Sequence, residues 1–188
     1  YFQNPLKEGA DVVVHSGTKY LSGHNDTVCG FLCSGNQELA ERFRPLSKTT
    51  GATLGPFESW LCLRGLKTLA LRMERHKSNA EAVSRWLREQ SMVTNVYYAG
   101  SGMISFTVTS PETAVEILKN IRLITFAESL GGTESLLTYP AVQTHSDVPR
   151  EQREKLGITD TLLRLSVGIE KPDDIIADLR QAFENAEK

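Results

Sequence analysis

The sequence predicts an α/β chain that ends in a smaller α+β domain, and three observations carry that expectation. A β-branched run, Asp11-Val12-Val13-Val14-His15, breaks into a polar loop with several glycines, and a second apolar run follows at 28–33. A long helical pattern starts after Pro56. From Val93 onward, short strand-like and helix-like segments alternate, as they do where helices cover a sheet.

Taken in chain order, 11–15 has the composition of a strand buried on both faces. Residues 16–26 hold Gly17, Ser22, Gly23, Asn25 and Asp26, which place a loop between this strand and the next. Leu39, Phe43 and Leu46 recur with helical spacing over 36–46, with Asn36 as a natural cap, and Gly51, Gly55 and Pro56 interrupt that segment. Phe57, Trp60, Leu63 and Leu66 then open a helical run that reaches Trp86 and Leu87, with a break expected near His76. Strands are expected at 93–98, 103–108, 123–127 and 163–167, a helix at 112–118, and a closing amphipathic helix at 173–183. The join Tyr98-Ala99-Gly100-Ser101-Gly102 reads as a tight hairpin. The long helical run reads as a connection between two domains, the second of them a small α+β domain.

Composition narrows the function classes. Hydrophobic residues make up 40% and charged residues 23% of the 188, and the formal net charge is -2. Such a chain folds, and it has no electrostatic preference for nucleic acid or for a membrane surface. No apolar run approaches the roughly 20 residues that span a bilayer. Cys29, Cys33 and Cys62 are odd in number and lack zinc-site spacing, so buried thiols in a reducing cytoplasm are expected. His15, His24, His76 and His145 are too scattered for a metal site. The first residue is not methionine. Tyr-Phe-Gln-Asn-Pro reads either as chain entered in mid-course or as the remnant of a cleaved tag.

The segment with chemical content is His15-Ser16-Gly17-Thr18-Lys19-Tyr20. An ammonium at the end of an apolar strand is paired or desolvated; desolvation lowers its pKa and yields a better amine nucleophile, able to form a Schiff base with an aldehyde. In an extended segment Ser16 and Thr18 share a side, where two hydroxyls suit phosphate oxygens. Together these residues suggest an aldehyde cofactor that carries a phosphate. A solvated Ser/Thr/Lys loop has the same composition, and Gly17 stands apart from the glycine runs of nucleotide-binding loops.

The sequence resembles the Cys/Met metabolism family of pyridoxal-phosphate (PLP) enzymes, which includes cystathionine γ-synthase, cystathionine β-lyase and cystathionine γ-lyase. The resemblance runs through Asn4-Pro5-Leu6, the Lys19 segment, Gly23-His24-Asn25-Asp26, Leu63-Arg64-Gly65-Leu66-Lys67-Thr68-Leu69, Glu128-Ser129-Leu130-Gly131-Gly132, Glu134-Ser135, Thr144-His145 and Leu163-Arg164-Leu165-Ser166-Val167-Gly168. It implies fold type I (aspartate aminotransferase-like), with 1–55 as the end of the PLP-binding large domain and 75–188 as its small domain. It implies that Lys19 binds pyridoxal 5'-phosphate and shuttles protons, that Ser16 and Thr18 hold the phosphate, and that Arg164 takes the substrate α-carboxylate. Ser129 positions the substrate, Glu128 bears on subtype, and Thr144 lies near the arginine. A planar guanidinium suits a carboxylate bidentately.

The implied activity is carbon–sulfur chemistry of trans-sulfuration: β- or γ-elimination from cystathionine, or γ-replacement on an activated homoserine. The implied assembly is a cytoplasmic homotetramer with sites shared between subunits, acting on a small sulfur amino acid. Two departures stand against it. The family's ring-pairing aspartate, stacking aromatic and glycine-rich phosphate contacts precede the point matched by Tyr1, and the family carries a further segment where this chain has Gly100-Ser101. The alternative is therefore a catalytically incomplete fragment or paralogue that serves as an oligomerisation or binding module.

Overall fold

The computed structural model describes residues 1–187, which divide into two compact units, Tyr1–Leu71 and a second that begins at Arg72. In the first unit a 3-10 turn, Pro5–Glu8, leads into strand β1 (Val13–Ser16), which pairs antiparallel with β2 (Gly30–Cys33), placing Ser16 opposite Gly30. The expected strand is present, but it is not buried on both faces: Val14 is 73% exposed and Leu32 58%. Branching at Cβ favours extended backbone through χ1 restriction, with or without burial, so the β-branched run is extended in this chain by itself. Cys62 is the one fully buried hydrophobic of this unit among the described residues.

Asn36 caps helix α1 (Gln37–Thr50), its side-chain oxygen accepting the N–H groups of Glu38 (2.9 Å) and Leu39 (3.3 Å). The helix passes through Pro45 and stops only at Gly51, whose φ of 74° ends it in left-handed backbone. Helix α2 (Pro56–Leu66) starts with proline at its first position, where the missing N–H costs nothing. The break expected near His76 falls instead at Lys67–Thr68, where the N–H groups turn to the carbonyls of Arg64 and Gly65 in i+3 fashion. Helix α3 (Leu69–Arg88) then continues uninterrupted past His76.

The second unit is an antiparallel sheet with one parallel edge pair. Strands β3 (Val93–Tyr98) and β4 (Met103–Val108) form the expected hairpin, with Gly100 at φ 84° in its turn. After α4 (Pro111–Asn120), capped by Ser110, come β5 (Thr125–Phe126), β6 (Leu136–Thr138), α5 (Arg150–Lys155), β7 (Leu162–Ser166) and α6 (Pro172–Ala186). The strand order is β3-β4-β7-β6-β5, and β5 alone runs parallel to its neighbour β6. Alternate residues of β4 and β7, Ile104, Phe106, Leu163 and Leu165, are fully buried against Val83, Leu87, Ile117 and Leu179. Trp86 meets Phe183 edge-on at 5.6 Å inside this core, whereas Trp60 of the first unit is 54% exposed beside Phe57. Among the described residues no helix is long and apolar enough to cross a membrane.

Candidate functional site

In the first unit Lys19 lies on a single π-helical turn, Gly17–Leu21, which leaves β1 directly. The backbone of Cys29 receives that turn: its carbonyl accepts the N–H groups of Gly17 (2.8 Å) and Thr18 (3.2 Å). The Thr18 hydroxyl accepts the Cys29 N–H at 3.0 Å and donates to the Cys29 carbonyl at 3.3 Å. Gly17 has no room for a side chain, since a Cβ there would overlap the Cys29 thiol and the Phe31 ring. Lys19 itself departs from helical backbone, at φ -92° and ψ -130°, and is partly buried.

The extended arrangement expected for Ser16-Gly17-Thr18 is therefore replaced by a strand end and a turn. Ser16 closes β1 and is exposed, while the single proton of the Thr18 hydroxyl is already directed at Cys29. The exit from the turn is fixed from two sides. The Ser22 carbonyl accepts from His24 Nδ1 at 2.7 Å, and α2 presses Gly65 against the same carbonyl, with no space for a Cβ between them. The Arg64-Gly65 stretch of the sequence thus supports the lysine turn by having no side chain at its point of contact. A primary amine and Thr18 on the turn, with Ser16 at the strand end just before it, make a donor set that fits a phosphate-bearing aldehyde.

In the second unit Arg164 lies in the middle of β7, in register with Ser105 of β4 and Thr138 of β6. Its Nη2 donates to the Thr138 hydroxyl at 3.3 Å and to the Ser129 carbonyl at 3.5 Å. Its Nε is buried and has no acceptor among the described residues. A guanidinium has five N–H donors, so most of this one's capacity is unused by the unit that holds it. Burial pulls the Arg164 pKa down from the ordinary arginine range and the charge of Glu128 pushes it back up; the group stays cationic throughout the range in which proteins work.

Ser129 has φ 94°, in the left-handed region that a side chain rarely adopts. The loop holding it is pinned by the Ser166 hydroxyl at the end of β7, which accepts the Gly131 N–H at 2.8 Å. Beyond β7, Glu170 accepts the Ser135 N–H (2.6 Å) and hydroxyl (3.0 Å), and Ser135 in turn accepts the Gly168 N–H at 2.9 Å. The ends of β6 and β7 are so fastened together. The unit thus gathers Glu128, Ser129 and Arg164, whereas Thr144 is exposed with its hydroxyl bonded to His145 Nδ1 at 2.8 Å, and no hydrogen bond joins it to Arg164 among the described residues. Thr138 was missed by sequence reasoning because β6 is only three residues long.

Among the described residues, no group of three metal-binding side chains converges. His76 is fully buried in α3, where its Nδ1 donates to the Val167 carbonyl at 2.7 Å. The Cys29 and Cys62 sulfurs lie 3.9 Å apart, and burial is the largest of the effects that push the Cys62 thiol up to about 11.

Comparison with known proteins places these features in context. The family model described as Cys/Met metabolism PLP-dependent enzyme matches residues 1–184. A cystathionine gamma-synthase of Haemophilus influenzae is 54% identical over 182 residues, covering 96% of this chain and 49% of the relative. A cystathionine gamma-lyase of Bacillus subtilis is 46% identical over 202 residues, covering 98% of this chain and 53% of the relative. A crystal structure of cystathionine gamma synthase from Xanthomonas oryzae pv. oryzae in complex with cystathionine superposes with a TM-score of 0.94 at 39% identity, over 98% of this chain and 52% of that one. The chain thus spans about half the length of the relatives it matches.

Proposed function

This chain belongs to the Cys/Met metabolism PLP-dependent enzyme family, and from that membership we propose that it is part of a trans-sulfuration enzyme that makes or breaks the carbon–sulfur bonds of cystathionine. The substrate is a small sulfur amino acid, acted on by β- or γ-elimination, or an activated homoserine acted on by γ-replacement. The cofactor is pyridoxal 5'-phosphate. Its bound ring supplies a sink for the electron pair left on the substrate's α-carbon.

The chain's own residues do the rest. The Lys19 amine would hold the cofactor covalently, and its Nζ would carry the substrate's α-proton. Ser16 and Thr18 hold the phosphate, the latter by turning its proton away from the Cys29 carbonyl. Arg164 takes the α-carboxylate with the donors that its own unit does not use, and Ser129 and Glu128 line its approach, with Thr144 further out. The half-buried, under-used guanidinium is the observation that supports this reading best. On the same reading, 1–55 completes a cofactor domain, 56–74 connects, 75–188 is the small domain, and the assembly is a cytoplasmic homotetramer.

Two measurements on the intact enzyme test it. Lys19→Ala abolishes a borohydride-sensitive absorbance at the edge of the visible range, and with it turnover. Product analysis with cystathionine, and separately with cysteine plus an acylated homoserine, identifies the reaction by the release of homocysteine or cysteine or by new cystathionine. The competing reading is a catalytically incomplete fragment or paralogue that serves as an oligomerisation or binding module. An intact protein that takes up no pyridoxal 5'-phosphate would establish it.

A further inference from the structure

Thr138 occupies an unusual position for a small polar residue: it is 1% exposed, in a three-residue strand, and its side chain belongs to two structures at once. Its hydroxyl donates to the Ala127 carbonyl at 2.8 Å. A hydroxyl has one proton, so with that proton committed only lone pairs are left for Arg164, whose Nη2 stands 3.3 Å away. The polarity of the pair is thereby fixed. Threonine accepts and arginine donates.

Ala127 is also where the 128–131 loop begins. Its N–H is bonded to the Leu137 carbonyl at 3.2 Å, continuing the parallel pairing of β5 and β6. One hydroxyl therefore fixes the root of the loop that carries Glu128 and Ser129 and also the plane of the guanidinium. The second contact of Nη2, to the Ser129 carbonyl at 3.5 Å, is at the limit of a hydrogen bond and comes from the same loop. Without Thr138, a flexible arginine side chain keeps one marginal tether, and its fork loses its preset orientation.

We propose that Thr138 is a positioning residue that presets the Arg164 guanidinium and the root of the 128–131 loop for the substrate's α-carboxylate. The proposal rests on the reading of Arg164 as the carboxylate-binding residue. Thr138 acts through Arg164 and touches no reacting atom, so its loss is felt in substrate capture more than in turnover.

The experiment is steady-state kinetics of the intact, cofactor-loaded enzyme with Thr138→Val, which keeps the shape and removes the acceptor, and Thr138→Ser, which restores it. Thr138→Val raises KM about 10-fold, the effect of one hydrogen bond to a charged group, and leaves kcat within about 3-fold, while Thr138→Ser stays within about 3-fold of wild type in both. Should valine at this buried position unfold the protein, Thr138→Cys carries the test, since a thiol is small enough for the site and accepts weakly; its KM rises several-fold. A KM unchanged in the valine or cysteine variant, beside an Arg164→Ala variant whose KM is strongly raised, overturns the positioning role alone. An Arg164→Ala variant with unchanged KM overturns the parent reading and the positioning role with it.

Discussion

Gly65 of α2 lies directly against the backbone carbonyl of Ser22, and any side chain at 65 would overlap that oxygen. Backbone cannot yield as a flexible side chain does. Gly65→Ala is therefore expected to displace the exit of the lysine turn and to cost roughly 1–3 kcal/mol, as overpacking does. Thermal melts and cofactor-dependent absorbance of the intact enzyme, with Gly35→Ala as control, check it. A Cβ at Gly35 meets nothing within 4 Å, so that variant should match wild type.

Asp178 of α6 is a second fixed point. Its carboxylate accepts the N–H groups of Arg122, Leu123 and Ile124, each at 2.9 Å, and so shapes the approach to β5. Asp178→Ala leaves three donors without an acceptor in a largely buried place, and a loss of roughly 3 kcal/mol is expected in urea unfolding. Asp178→Asn, which keeps one carbonyl oxygen, should fall between.

His76 predicts a pH dependence. Burial holds its pKa below the ordinary 6.5, with the bond to the Val167 carbonyl opposing and the nearby Arg72 adding to the depression. The unfolded chain therefore binds this proton more readily than the folded one, so the contribution is full above pH 6.5 and is lost as pH falls through the depressed folded value. The fall in unfolding free energy between pH 8 and pH 5 should be smaller for His76→Asn than for wild type.

The thiols should separate by rate. With its pKa pushed up to about 11 and its sulfur buried, Cys62 is almost wholly protonated near neutrality. Alkylation at pH 7.5 followed by peptide mass mapping should find Cys62 modified last, after the less buried Cys29 and Cys33.

How much of this was legible beforehand depended on the range of the interactions. The Asn36 cap, the β3–β4 hairpin and α6 were readable because local spacing decides them. The strand at 123–127 shortened to two residues, and β6 went unseen, because both exist through pairing with segments distant in sequence. The same limit applied at the site. Lys19 and Arg164 stand out as candidates by their flanking residues, but the turn that replaces an extended Ser16-Gly17-Thr18 depends on the Cys29 backbone, and the register that sets Thr138 opposite Arg164 joins segments distant in sequence.

The uneven burial of the two units has a dynamic consequence. Amide protons of β4 and β7, paired on both sides and with one face fully buried, should exchange with deuterium only in rare global openings. Those of the β1–β2 hairpin, with Val14 and Leu32 bare in this chain by itself, should exchange through frequent small excursions when the chain is studied alone. In this chain by itself the turn bearing Lys19 shares that quicker exchange, and the slowing of its exchange when further chain or a cofactor settles there would register how much order that visitor brings.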